Sequence, residues 1–103
     1  MHLYYISIMK TPDFEWDENN NMENILKHGV SFEDAQEAFK DENRVILSDM
    51  RHSANEQRFY CLGKVRGEIM TVRFTYRAGY IRIFGAAFWR KGKKYYEKEN
   101  RIH

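Results

Sequence analysis

A single cysteine, Cys61, rules out an internal disulfide and every thiolate-rich metal centre, since zinc fingers and iron–sulfur sites draw on several cysteines or on paired histidines at fixed spacing. His2, His28, His52 and His103 are scattered with no ligand spacing, so no metal and no other cofactor is expected. Cys61 lies in an apolar run, where a free thiol behaves as a small buried hydrophobe, and a reducing compartment fits it. No stretch approaches the ~20 apolar residues of a membrane-spanning helix. The apolar run at residues 3–9 is short, has no basic residue before it and no cleavage site after it, so a soluble, cytoplasmic protein with no membrane partner is expected. Internal repeats, low-complexity tracts and Gly/Ser linkers are absent, and the one proline, Pro12, separates a possible extension, residues 1–11, from the rest. With 103 residues the chain makes one domain, residues 1–103.

What is present is apolar and aromatic residues, at 43% and 16%, too many for a disordered chain. Charge is unevenly divided. Residues 1–50 carry four Lys/Arg against eleven Asp/Glu and residues 51–103 carry thirteen against four, so a net charge of +2 conceals halves of −7 and +9. Such a dipolar chain either presents a basic face suited to phosphate or folds acidic helices against basic strands.

Residues 17–28 have the spacing of a helix, with Asp17 as N-cap, Met22, Ile25 and Leu26 as its apolar face and Gly29 as its terminator. A second helix starts at Ser31, whose spacing to Asp34 resembles a capping box, and it presents Phe32, Ala35, Ala38 and Phe39 on one face. Residues 44–48 form a short strand candidate. Three strand-like runs follow at 58–65, 68–77 and 80–88, separated by Arg66-Gly67 and Ala78-Gly79, which suit tight hairpins. In the middle run Met70, Val72, Phe74 and Tyr76 alternate with Thr71, Arg73, Thr75 and Arg77, and the first set is expected to face the core. Residues 89–98 read as a short basic helix weakened by Gly92. The expected fold is α+β: two N-terminal helices on one side of an antiparallel meander, with a short C-terminal helix.

Several local patterns coincide: Phe14-Glu15-Trp16-Asp17, then Asn24 and Lys27-His28-Gly29-Val30-Ser31-Phe32, then Phe39 with Asp41. His52-Ser53, Glu56 with Arg58, Gly63, Thr75-Tyr76-Arg77 and Ile81-Arg82-Ile83 continue the order. In this order, across residues 14–97, the chain resembles the BrnT family of bacterial toxins from type II toxin–antitoxin systems, small RelE/ParE-type ribonuclease folds. The resemblance implies a metal-independent cut in RNA, a BrnA-like antitoxin that neutralises it, and a toxin–antitoxin hetero-oligomer. Where the family commonly continues Ser-Ala-Arg, this chain has Gly85-Ala86-Ala87, so the arginine expected at position 87 is missing and Arg90 is its candidate replacement.

Metal-free RNA cleavage requires a 2′-hydroxyl in line with phosphorus, cations on the phosphate oxygens and proton transfer at each end. Arg58, Arg77 and Arg82 are the candidates for phosphate charge, with Arg73 as a further RNA contact, because a guanidinium binds phosphate in a fixed fork. His28, at a helix C-terminus, is either a general acid or a cap for the last carbonyls. His52 sits in a polar loop and could reach a cleft. Glu56 acts as a base or holds Arg58 in place. Arg90, Lys91, Lys93 and Lys94 supply phosphate attraction without sequence preference. Tyr96, with Tyr95, is a candidate base-stacking residue, one of the two also being expected to pack under the terminal helix. Two other functions fit the same residues: a non-enzymatic module that retains antitoxin and operator binding, and a ParE-like inhibitor of a protein target.

Overall fold

The computed structural model of the chain describes residues 8–11 and 13–101; the expectation for an N-terminal extension falls largely outside them. Strands β1 (Ile8–Lys10) and β2 (Phe14–Asp17) precede helix α1 (Glu18–His28) and the single turn α2 (Phe32–Ala35), which tightens into a 3-10 segment over Gln36–Lys40. Strands β3 (Val45–Ser48), β4 (Arg58–Val65), β5 (Glu68–Arg77) and β6 (Tyr80–Ala87) follow, and helix α3 (Arg90–Glu99) ends the described chain.

The local signals act as their chemistry dictates. The Asp17 carboxylate accepts from the Asn19 N–H at 2.8 Å, and Ser31 Oγ accepts from the Asp34 N–H at 3.1 Å. Gly29 closes α1 in the left-handed conformation at φ 67°. Both hairpins place two successive residues at positive φ, Arg66-Gly67 and Ala78-Gly79, which matches the twist of the flanking strands.

The sheet has six strands in the order β1-β2-β6-β5-β4-β3. The meander β3–β6 is antiparallel as expected, but β2 runs parallel to β6, with Glu15 opposite Arg82, so the sheet is mixed. The helices are not confined to one side either. Trp16, Phe32, Ala35, Cys61, Val72, Phe74 and Ile83 form the main core beneath α2 and the 3-10 segment. Leu62, Ile69 and Tyr96 form a second cluster on the opposite face, beneath α3. Strand alternation explains this: Cys61 and Leu62 are adjacent, point to opposite faces, and are both buried. Burial within the main core also pushes the Cys61 thiol up to about 12.

Two apolar expectations fail. Tyr76 is 59% exposed because it lies near the end of β5, past the last fully buried core ring, Phe74, and touches it only at its edge. On α1 the face turned inward is polar: Asn21 and Asn24 are buried while Met22, Ile25 and Leu26 are exposed, Leu26 at 85%. Asn21 Oδ1 accepts from the Phe32 N–H, and the Asn24 amide donates to the carbonyls of Val30 and Ala86 and accepts from the Ala86 N–H. Strand β2 covers β6 only as far as Ile83, so the Asn24 side chain stands in for the missing strand at Ala86.

Glycine at two positions is a packing requirement. A Cβ on Gly63 would overlap the Ala38 carbonyl, and a Cβ on Gly92 would overlap Thr71 Oγ1. Gly92 is therefore the point where α3 lies down on β5, which reverses the sign of its helix-propensity cost. An exposed helical Gly→Ala change stabilises by about 1 kcal/mol. We expect Gly92→Ala instead to lower Tm by about 5 °C or more in thermal unfolding, since overpacking of this kind costs roughly 1–3 kcal/mol; an unchanged or raised Tm would contradict the packing described.

Asp41 ties the layers together. Its carboxylate accepts from the Tyr96 hydroxyl at 2.6 Å, the Lys64 N–H at 2.8 Å and the Asn43 N–H at 2.9 Å. Burial opposes the charge, but these bonds outweigh it and hold the carboxyl below its ordinary value of 3.8, while burial and the same carboxylate push Tyr96 up to about 12. A depressed native value adds stability above the unfolded-state value that is lost as pH falls through the native one. Asp41→Asn is thus expected to lower Tm at pH 7, with the gap to wild type closing as pH falls below the ordinary carboxyl value of 3.8 in a pH series of melts; a constant gap would show that charge plays no part.

Candidate functional site

On the face that carries α3, the helix covers only one end of the sheet, and the remainder displays the arginines. Cross-strand pairing fixes their order. Arg58 stands opposite Thr75, and Thr75 opposite Arg82, which lies beside Glu15 of β2. One row nearer α3, Tyr60 stands opposite Arg73, and Arg73 opposite Gly85. A β-bulge between Arg73 and Phe74 leaves Phe84 as an extra residue on β6. The Arg58 guanidinium lies over the Phe84 ring, 4.3 Å from its centre, a cation–π contact.

Because Asn24 docks α1 along the β6 edge, the helix forms a wall beside these rows. An open groove of about 480 Å³ results, lined by Arg58, Arg73 and Phe84 from the sheet and by Glu23, Lys27 and His28 from α1. Arg73 and Lys27 have no ion-pair partner among the described residues, and Nε of Arg58 is buried without a hydrogen-bond partner. Surplus positive charge beside a single lining carboxylate is an anion-binding arrangement.

The other expected site residues divide in two groups. Glu56 joins Arg77, at 3.1 and 3.2 Å, and Arg58, at 3.5 Å, so its carboxylate is shared between two arginines. Arg82 meets Glu15 at 3.7 Å, with side chains only 13% and 7% exposed, which commits its charge to a buried carboxylate. Arg90 and Lys93 line a separate hollow with Glu68, and Lys91 lines a cleft on the other side of α3, so the structure does not bring Arg90 into the groove in place of the residue at position 87. Lys94 is exposed on α3 and lines neither. Tyr96 is corrected outright as a base-stacking candidate: its ring is 1% exposed beneath α3, and Tyr95, at 43%, is the accessible one.

His52 lies outside the groove, near the first residues of β4. Its Nδ1 is 2.8 Å from the Asp49 carboxylate, and Ser53 Oγ donates to the Asp49 carbonyl and accepts from the Arg58 N–H. Burial works against ionisation of Asp49, yet hydrogen bonds from His52 and Tyr60 hold its carboxyl below the ordinary value. Lys27, Phe84 and the docking role of Asn24 were not apparent as parts of a site. The legible trace of Asn24 was its three-residue spacing from Asn21, a polar helical stripe that hydropathy alone assigns to solvent.

Among the described residues no group of three or more His, Cys, Asp or Glu side chains is placed to hold a metal ion, and no helix is long and apolar enough to cross a membrane. The fold and groove define a small α+β protein with a basic groove on an open sheet face. Residues 16–92 match the family model described as "Ribonuclease toxin, BrnT, of type II toxin-antitoxin system", and the chain belongs to that family. Every residue of the groove lies within the match, and a type II system implies an antitoxin partner. No curated protein gives a significant match.

The contrast between paired and unpaired arginines is testable without an activity. Arg82→Ala removes a counter-charge from a buried carboxylate and is expected to lower Tm by about 5 °C or more, whereas Arg73→Ala should stay within about 2 °C of wild type. Equal shifts in the two melts would contradict the division.

Proposed function

We propose that this chain is a RelE-type endoribonuclease toxin that cuts single-stranded RNA without a metal ion in the bacterial cytoplasm and is neutralised in a hetero-oligomer by a BrnA-like antitoxin. The observation that carries the reading is the meeting of Arg58 and Arg73 with His28 and Lys27 across one groove. Arg73 and Arg58 take the non-bridging oxygens of the scissile phosphate, and Arg77 acts through Glu56 to steady Arg58. The 2′-oxygen attacks phosphorus, its proton passes to water, and His28 gives a proton to the departing 5′-oxygen. Arg82, paired to Glu15, contributes through the sheet rather than at the phosphate. Lys91, Lys93, Lys94 and Arg90 draw the RNA backbone toward this face. Met22, Ile25 and Leu26 stand exposed on the helix that walls the groove, so an antitoxin laid on that apolar ridge would also close the site.

A second reading, a module that binds its antitoxin but does not cleave, rests on Ala87, which is buried where the family pattern has an arginine. Incubation of purified, partner-free protein with single-stranded RNA in EDTA separates the two. The expected result is cleavage by wild type, slowed about 100-fold or more in Arg73→Ala and Arg58→Ala variants that remain folded. RNA left intact by folded wild-type protein would favour the second reading.

A further inference from the structure

On the same sheet face, beyond Arg73, lies a second cleft of about 390 Å³ between α3 and strands β3 and β4. Leu47 and Leu62 form its apolar wall, Tyr60 and the exposed rings of Trp89 and Tyr95 its aromatic part, and Lys91 its cation. Apart from Lys91, which also attracts the RNA backbone, none of these residues is used in the phosphate chemistry above. Two features connect the cleft to the groove. Tyr60 is the cross-strand neighbour of Arg73, and the Trp89 ring meets the His28 imidazole edge-on at 6.4 Å. Trp89 itself lines this cleft, and its ring neighbour His28 lines the groove.

From this juxtaposition we propose that the cleft is a nucleobase subsite: it takes an unpaired base of the RNA strand whose phosphate lies in the arginine groove, with Trp89 and Tyr95 stacking on the base and Lys91 pairing with a flanking phosphate. The inference rests on the ribonuclease reading and extends it from the phosphate to the base beside it. The chemistry favours RNA over an apolar peptide. Rings exposed at 39% and 43% at the mouth of a cleft are stacking platforms, and every base offers a π-face. Lys91 has no ion-pair partner among the described residues, and the cleft adjoins a groove already rich in unpaired cations. Hydrogen bonding is sparse on the apolar wall, so the subsite selects for an unpaired base rather than for one particular base.

The chain's two tryptophans make the test direct, because Trp16 is buried at 1% and only Trp89 can report a ligand. The probe is a mixed-sequence 2′-O-methyl RNA octamer, which cannot be cleaved through its 2′ position, beside an octamer of equal charge lacking bases. We expect the first to quench tryptophan fluorescence and the second to leave it unchanged and to bind about tenfold more weakly by anisotropy, in keeping with stacking losses. Trp89→Ala and Tyr95→Ala should each weaken the base-bearing octamer about tenfold, with Trp89→Phe restoring most of the affinity. If both octamers bind alike and the aromatic variants change nothing while Arg73→Ala still weakens binding, the subsite is overturned and the groove stands. If neither octamer binds, the groove reading falls and takes the subsite with it. Fluorescence that responds only to the cognate antitoxin would give the cleft to that protein and overturn the proposal.

Discussion

Strand β6 loses its strand partner at Ile83, and the way its next peptide is satisfied governs the rest of the molecule. A buried N–H and C=O left unpaired cost about 1–3 kcal/mol each, so the edge at Ala86 needs a partner that both donates and accepts. A primary amide does both, and Asn24 supplies it from α1. This single pairing explains why the helix turns a polar face inward, why its apolar residues face outward, and why a wall stands beside the arginine rows. The groove is a consequence of how the sheet edge was closed.

The opposite ends of the sheet show how one surface can be split between stability and binding. Toward α3, Gly92 lets the helix approach β5 closely, and Tyr96 reaches Asp41 at the rim of the sheet. Away from α3 the same strands carry arginines that no helix covers. Their fates differ by neighbour: Arg82 lies beside a buried glutamate, Arg77 and Arg58 share Glu56, and Arg73 stands between Tyr60 and Gly85 with no acid opposite. Charge sums along the sequence cannot express this, since the acids of the first half meet only some of the cations of the second.

Much of the fold could be read in advance because its signals were local. The Asp17 and Ser31 caps, the Gly29 terminator and the two hairpin turns each act within a few residues, and the strands at 58–65 and 68–77 end where their turns dictate. The parallel pairing of β2 with β6 joins residues 67 apart, and the placement of α3 on the second face joins Tyr96 to Ile69 and Leu62, 27 and 34 residues back, separations that no short window of sequence contains. Within the site, strand alternation placed Arg73 beside the other arginines on one face, but it could not show that α1 would bring Lys27 and His28 to meet them. Tyr96 was misread because an exposed stacking ring and a buried packing ring look identical one residue apart on a basic helix.

Cys61 lies wholly buried against the Ala38 carbonyl, its thiol pushed up to about 12. Burial disfavours the thiolate, which is the form that oxidants and alkylating reagents attack. The protein's only thiol is therefore shielded from reagents in solution, and a cysteine introduced on the surface would be the accessible site for a thiol-directed probe.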